Sequence, residues 1–202
     1  MFIKILYFWG VKIISIKNII KQRRSYRSLD PIQINKEIIT DLAESAQLAP
    51  SCKNSQPWRF IFVNDKNQLT KLFTSLIPGN QWIQRASMII AVFSSMEYDC
   101  IVKERLYYLF DTGLATAFLM LRATELGLVA HPIAGFEEQV VKEILEIPKN
   151  MRVISLLIIG KKSNNINPEL TDLMKATERE RPGRLPLRKI AFTNKYNQSN
   201  LD

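Results

Sequence analysis

Two short apolar runs constrain the fold of this chain more than any other feature. Residues 88–93 are continuously apolar and residues 153–159 almost entirely so. A run of this length without alternating polar residues is typical of a β-strand that is buried on both faces. The 202 residues have the usual size of one domain, and no repeat or linker divides them. We therefore expect one domain of the α+β class.

Helical periodicity surrounds these runs. Residues 104–126 predict the longest helix, which is apolar on nearly all sides and is therefore expected in the core, with Gly127 as its C-terminal stop. Asn35 is the expected N-cap of a helix that ends before Pro50. Further helices are predicted over residues 11–21, 68–76 and 139–146, and further strands over residues 59–64 and 129–136.

The two ends of the chain are assigned separately from the domain. Residues 1–10 are predicted to form an apolar arm, residues 11–192 the domain and residues 193–202 a tail. The longest uncharged stretch near the start has seven residues, which is too short to span a bilayer, and no signal-peptide cleavage site follows it. The arm is expected to cover a subunit interface or to be an upstream extension. A membrane-surface anchor is the alternative.

The cysteine and histidine content limits the possible chemistry. Two cysteines, Cys52 and Cys100, exclude a disulfide framework and a structural zinc site, and the single histidine, His131, excludes a multi-histidine metal site. Composition thus predicts no metal and a reducing, cytoplasmic setting. His131 lies in an apolar stretch and is expected to be a packed residue rather than a general base. Because common catalytic motifs are also missing, we expect a bound cofactor, and no catalytic side chain, to carry any reaction.

The formal net charge of +9 is concentrated at the two ends of the chain. Residues 1–28 carry +7 with no acidic side chain and residues 161–202 carry +4, which leaves −2 for the middle. If the ends meet, they form a site for an anion such as a phosphate. If they stay apart, they could bind a nucleic acid or a membrane surface. Since the aromatic residues fall mostly in apolar runs, we expect no nucleic-acid partner.

Three segments carry groups that suit a flat, phosphorylated cofactor. Residues 23–27, Arg-Arg-Ser-Tyr-Arg, offer guanidinium forks for a phosphate, although a solvated basic face has the same composition. Residues 51–56 offer amide and hydroxyl groups for the edge of a heterocycle, although ordinary loop capping also explains them. Residues 132–136 include a glycine that permits close backbone approach to a ring, with strand packing as the alternative.

In this order, the segments resemble the FMN-dependent nitroreductase family. The resemblance covers about residues 11–192 and is strongest for Pro-Ser-Cys-Lys-Asn-Ser-Gln-Pro-Trp at residues 50–58. It also includes Arg-Arg-Ser-Tyr-Arg, the central segment Asp-Thr-Gly-Leu-Ala-Thr-Ala at residues 111–117, Pro-Ile-Ala-Gly-Phe at residues 132–136 and Arg-Leu-Pro at residues 184–186.

The resemblance implies an α+β fold with a mixed sheet flanked by helices, in an intertwined homodimer with FMN at the subunit interface. The residues it implies for FMN binding fall into four groups. They are Arg23, Arg24, Ser25 and Arg27 around the phosphate; Pro50, Ser51, Asn54 and Gln56 along the flavin, from the partner subunit; Ile133, Ala134 and Gly135 behind the ring; and Arg184, returning from the tail to the phosphate.

The activity that the resemblance implies is transfer of hydride from NADH or NADPH through FMN to a nitroaromatic, quinone or similar acceptor by a ping-pong mechanism. Two alternatives remain: a flavin-binding or storage protein without turnover, and a dehalogenase or heterocycle dehydrogenase of the same fold. The sequence departs from the family at Ala134, where relatives carry an acidic residue, and at Pro182, where some carry a basic one. Residues 94–111 are too short for a helical lid, so we expect an open pocket.

Overall fold

The computed structural model describes residues 15–196 in full and the backbone of residues 7–8 and 11–12. Most of the predicted arm and residues 197–202 of the predicted tail lie outside the described residues. The helices in the described part are α1 (Ile16–Gln22), α2 (Lys36–Gln47), α3 (Lys66–Phe73), α4 (Tyr107–Glu125), α5 (Glu138–Leu145) and α6 (Asp172–Arg179). The strands are β1 (Tyr7–Phe8), β2 (Val11–Lys12), β3 (Leu29–Asp30), β4 (Arg59–Val63), β5 (Met88–Ser94), β6 (Ile101–Val102), β7 (Arg105–Leu106), β8 (Leu128–Ile133) and β9 (Arg152–Lys162).

A five-stranded sheet forms the centre of the molecule. Its order is β3-β9-β5-β4, and β8 also pairs with the long strand β9. Ile90 of β5 lies opposite Leu157, and His131 of β8 lies opposite Ile158. Every pairing in the described residues is antiparallel, whereas a mixed sheet was expected. The α+β class is confirmed.

The core lies on both faces of this sheet, as the two apolar runs predicted. All seven residues of β5 are buried, and successive side chains point to opposite faces. One face packs against α3 and α5, and the other packs against α2 and α4. A strand with both faces covered in this way has no position for a polar side chain that lacks a partner.

Several element boundaries follow from local hydrogen bonds. The Asn35 side chain accepts a bond from the Ile38 N–H at 2.9 Å, which confirms the predicted N-cap of α2. Gly127, with φ +75°, ends α4 as predicted. The helix predicted from residue 11 instead begins at Ile16, because Val11–Lys12 pairs as a strand and Ser15 caps the helix. No helix in residues 15–196 combines the length and the apolar character that crossing a membrane requires.

The prediction that the longest helix is buried on nearly all sides is wrong for the single chain. Ala115, Leu119 and Ala123 of α4 are fully buried against the sheet. Phe110, in contrast, is 62% exposed, and Phe118 is 39% exposed. The apolar pattern therefore serves two surfaces, one inside the chain and one at its exterior.

The last part of the predicted domain, residues 161–192, contains a helix that the sequence pattern did not predict. Residues 172–179 form α6, whose N-cap is Thr171. Met174 of this helix packs against the core, and Glu178 is buried. Residues 161–192 thus pack on the core through a helix of their own.

A disulfide joins Cys52 to Cys100 across 48 positions of sequence, with the Cα atoms 6.0 Å apart. The cysteine count excluded a disulfide framework, and no bridge was expected in a reducing setting. The bridge depends on a tertiary contact between the loop before β4 and the segment before β6. Nothing in the local sequence around either cysteine indicates that contact.

Candidate functional site

Two arginine-bearing segments from opposite ends of the chain meet in one pocket. Arg23, Arg24, Ser25 and Arg27 follow α1, and Arg184 lies beyond α6. We call this pocket the arginine cradle; its volume is about 190 Å³. The residues that line it are Arg23, Arg24, Ser25, Arg27, Thr177, Arg181, Pro182 and Arg184. The structure therefore brings together the two basic ends whose convergence the charge pattern allowed.

Two arginines lock these segments to each other. Arg24 donates through Nη2 to the carbonyl oxygen of Thr177 at 2.5 Å, in the last turn of α6. Arg181 donates through Nη2 to the carbonyl oxygens of Lys21 and Arg23, both at 2.6 Å, at the end of α1. The last carbonyls of a helix lack partners within the helix, and a cation is favourable at this negative end of the dipole. Arg24, which follows α1, thus caps α6, and Arg181, which follows α6, caps α1.

Glu178 fixes the backbone of the arginine segment, and sequence reasoning missed it. Its side chain is buried, and its two carboxylate oxygens accept bonds from the N–H groups of Arg27 at 2.9 Å and Ser28 at 3.0 Å. A buried carboxylate needs such donors to offset the loss of water. Met174 lies one turn before Glu178 and packs on the core. This spacing places the acidic side chain of Glu178 on the inner face of α6, and it was the signal that could have indicated the role of Glu178.

The cradle holds positive charge without a matching acid. Arg23 donates to the Ser25 hydroxyl at 3.1 Å, and Arg184 donates to local backbone carbonyls. Within residues 15–196, none of the cradle arginines forms an ion pair with a carboxylate. Burial, and then the positive charges of Arg181 and Arg184, lower the pKa of Arg23 from its ordinary value. A bound dianion would relieve this repulsion, so the residues present fit a phosphate group.

A chain of contacts leads from the cradle to the segment that was predicted to back a flavin ring. Nδ1 of His131 lies 3.0 Å from the Tyr26 carbonyl oxygen, and the Trp82 ring packs on His131 at 4.7 Å between centroids. Trp82 donates through Nε1 to Asn80 Oδ1 at 3.3 Å, and Asn80 donates through Nδ2 to the Gly135 carbonyl oxygen at 3.0 Å. Sequence reasoning missed Asn80 and Trp82.

Gly135, two residues beyond the end of β8, packs closely against two side chains that a larger residue would displace. A Cβ atom at this position would lie 2.6 Å from Asn80 Nδ2 and 2.8 Å from Ile77 Cδ1. Ile133 is the last residue of the strand, and Ala134 lines a cleft of about 510 Å³. The other residues that line this cleft are Tyr108, Leu109, Phe136, Glu138, Arg152, Val153 and Ile154. Of the three residues predicted to back a flavin ring, Ala134 therefore borders this cleft, whereas Ile133 and Gly135 do not line it.

The loop at residues 50–57 lies apart from both spaces. Pro50, Ser51, Asn54 and Gln56 line neither the arginine cradle nor the cleft at Ala134. The Ser51 hydroxyl instead accepts a bond from the Gln56 N–H at 2.9 Å. Within one chain, the structure does not bring this part of the predicted site to the other two.

His131 is a packed residue, as predicted. It is 6% exposed, and burial lowers its pKa from 6.5 to about 4. The ring is therefore neutral near pH 7 and can donate its Nδ1 proton to the Tyr26 carbonyl.

We expect this histidine to make stability depend on pH in the acidic range. The unfolded chain takes up the proton near pH 6.5 and the folded chain only near pH 4, so the unfolded state binds more protons between these values. The free energy of unfolding should fall by about 3 kcal/mol as the pH is lowered through this window. Urea unfolding at pH 7 and pH 4.5 should show about 2 kcal/mol of this fall, with His131→Gln as the control that retains a donor. An equal loss in both proteins would contradict the assignment.

Comparison with known proteins places this geometry in context. The model of the Nitroreductase family matches residues 20–87 and 77–161. An Archaeoglobus fulgidus protein, provisionally named NADH dehydrogenase/NAD(P)H nitroreductase, is 32% identical over 172 residues, covering 81% of this chain and 91% of the relative. The Bacillus subtilis protein YdgI, provisionally named NAD(P)H nitroreductase, is 29% identical over 180 residues, covering 71% and 86%.

Solved structures share the fold. A nitroreductase-type protein from Exiguobacterium sibiricum in complex with FMN matches with a TM-score of 0.75 and 27% identity, covering 90% of this chain and 98% of the other. An oxidoreductase containing FMN matches with a TM-score of 0.76 and 30% identity, covering 89% and 91%.

Proposed function

Because this chain belongs to the nitroreductase family, we propose that it is an FMN-dependent oxidoreductase that uses NADH or NADPH as reductant. Names of relatives support both the reductant and the cofactor: several are named NAD(P)H nitroreductases, one is named FMN reductase, and a structural neighbour contains FMN. The acceptor that we propose is a nitroaromatic, a quinone or a similar flat oxidant. The observation that carries the proposal is the arginine cradle, which suits the phosphate that distinguishes FMN from a free flavin.

In this proposal, the two chain ends divide the work of binding the phosphate. Arg23, Arg27 and Ser25 would hold the phosphate oxygens, and Arg184 would approach from the tail. Arg24 was expected to contact the phosphate, but its bonds to α6 give it mainly an anchoring role. Arg181 supplies positive charge beside Pro182, where some relatives carry a basic residue.

The flavin ring would lie against the segment that ends β8. Ile133, Ala134 and Gly135 would back it, and the hydrogen bond from Asn80 to Gly135 holds this segment in place. When bound, FMN supplies the two-electron chemistry between the nicotinamide and the acceptor. The described chain contributes binding, orientation and positive charge, and we assign no catalytic side chain.

We also propose that the active form is a homodimer, because one chain leaves the site incomplete. The loop at 50–57 lines neither the arginine cradle nor the cleft at Ala134. We therefore place Ser51, Asn54 and Gln56 against the flavin of the partner subunit. The exposed Phe110 and Phe118 of α4 supply an apolar surface for such an interface. Sedimentation velocity of the holoprotein should give twice the chain mass; a monomer that retains FMN would contradict this assembly.

Access for the acceptor is expected to be open. Residues 95–106 form a short 3₁₀ turn and the two-residue strands β6 and β7, with no helix that could act as a lid. Met96 and Ile101 on this segment are about half exposed. This arrangement favours a permissive pocket rather than one shaped around a single substrate.

Anaerobic mixing of the holoprotein with NADH or NADPH tests the function. The protein should be yellow and release FMN on denaturation, and at least one nicotinamide should bleach its visible absorbance within seconds. Colour that persists with both nicotinamides would contradict turnover and favour a flavin-binding or storage protein. A colourless protein that takes up no FMN would contradict the whole proposal.

A further inference from the structure

The Cys52–Cys100 disulfide connects the proposed flavin loop to a separate part of the chain. Cys52 begins the 3₁₀ turn Cys52–Asn54 in the loop at residues 50–57, which we call the Cys52 loop. Cys100 lies between the 3₁₀ turn Met96–Tyr98 and β6. Both cysteines are partly exposed, so small molecules in solution can reach the bridge.

Cys52 makes three connections, of which those to Asp111 and Cys100 tie the loop to the rest of the chain and that to Ser55 lies within the loop. Its N–H donates to Asp111 Oδ2 at 2.6 Å, and its carbonyl oxygen accepts bonds from the hydroxyl and the N–H of Ser55 at 2.5 and 3.0 Å. The disulfide is the third connection and the one that chemistry can break and re-form.

The backbone beyond Cys52 adopts conformations that side chains disfavour. Lys53, Asn54 and Gln56 have φ values of 50°, 58° and 49°, in the left-handed region. Such residues persist where surrounding contacts determine the backbone, and three within four positions make the loop dependent on its attachments. Loss of one attachment should therefore allow other conformations.

The bridge also has two carboxyl groups beside it. Asp99 Oδ1 accepts a bond from the Cys100 N–H at 2.7 Å, and Asp99 Oδ2 is buried with no hydrogen-bond partner in the described chain. Burial, and to a smaller extent Asp111, raise the pKa of Asp99. The carboxyl groups of Asp99 and Asp111 therefore lie beside the two thiols that reduction would release.

We propose that Cys52 and Cys100 form a reversible dithiol–disulfide site that reacts with dithiols and controls the conformation of the Cys52 loop. In the reducing step, the bond between the two sulfurs breaks and each sulfur gains a proton. The dithiol supplies the two electrons and two protons and becomes a disulfide. The effect on FMN rests on the proposed function, since this loop would line the partner subunit's flavin.

Dithiothreitol is the probe, applied to the full-length holoprotein in buffer with a chelator. The chelator is needed because Cys52, Asp99 and Cys100 lie close enough to share a metal ion once the sulfurs are free. Alkylation followed by mass spectrometry should find no free thiol before reduction and two afterwards. Hydrogen exchange should then become about tenfold faster in the peptide covering residues 50–57. If about one tenth of the reduced protein keeps the loop conformation that binds FMN, the dissociation constant of FMN should rise about tenfold.

Two comparisons make the result specific. Exchange in the peptide covering β5 should not change on reduction. The variant Cys100→Ser should show fast loop exchange without reductant and no further response to dithiothreitol. Two free thiols before reduction, or unchanged loop exchange after it, would overturn the proposal. Absence of FMN binding in both states would instead overturn the proposed function, while loop exchange would still decide the switch.

Discussion

Replacing Glu178 with alanine is expected to lower the free energy of unfolding by about 4 kcal/mol, because two backbone N–H groups lose their acceptor at about 2 kcal/mol each. These groups belong to Arg27 and Ser28, and Ser28 is only 2% exposed, so water cannot fully replace the carboxylate. The same change should loosen α6 and draw Arg181 and Arg184 away from the cradle. Stability and FMN retention should therefore fall together.

Urea unfolding of matched variants measures the stability effect. Glu180→Ala is the control, since it removes the same charge from an exposed position two residues away. Glu178→Gln should lie between the two, because one amide oxygen can accept from only one of the N–H groups with good geometry. Equal stability of Glu178→Ala and Glu180→Ala would contradict the role of this carboxylate.

The double variant Arg23→Ala, Arg27→Ala is expected to weaken FMN binding by about 10²- to 10⁴-fold. Each charge-assisted bond to a phosphate contributes about 1.5–3 kcal/mol, and both side chains line the cradle without an acidic partner in the described chain. Neither side chain caps a helix, so the fold should survive, unlike in variants of Arg24 or Arg181.

Equilibrium titration of the apoprotein with FMN measures this loss. The matched control is Lys66→Ala, Lys71→Ala, which removes two positive charges from the exposed side of α3. A general electrostatic effect would weaken binding similarly in both double variants, whereas a phosphate site requires the loss to be confined to the arginines. Similar affinities in the two would contradict the cradle.

Much of the fold could be predicted because its signals are local. The apolar runs that became β5 and β9 need no knowledge of tertiary structure, and neither does the side-chain cap at Asn35. The exposed face of α4 could not be predicted, since an apolar residue in a core and one at a subunit interface look identical in sequence. The apolar pattern therefore does not distinguish the buried face of α4 from its exposed face.

The candidate site likewise combines features that the sequence indicated with features that depend on tertiary contacts. Charge distribution allowed the two basic ends to converge, and the structure brings Arg23 and Arg184 to one pocket. The roles of Glu178 and Asn80 depend on contacts across the fold, and neither residue type indicates them locally. Arg24 has a role that its motif position did not indicate: its guanidinium caps α6, and its phosphate contact stays a prediction.

The affinities of the apoprotein for FMN and for riboflavin, measured side by side by quenching of flavin fluorescence, test the arginine cradle most directly. The two molecules share the ring and the ribityl chain and differ only in the phosphate. FMN should bind at least about 100-fold more tightly than riboflavin to the unaltered protein, from charge-assisted bonds worth at least about 3 kcal/mol in total. In the Arg23→Ala, Arg27→Ala variant, this preference should nearly disappear. Equal affinities in the unaltered protein, or an undiminished preference in the variant, would show that the cradle does not bind the phosphate.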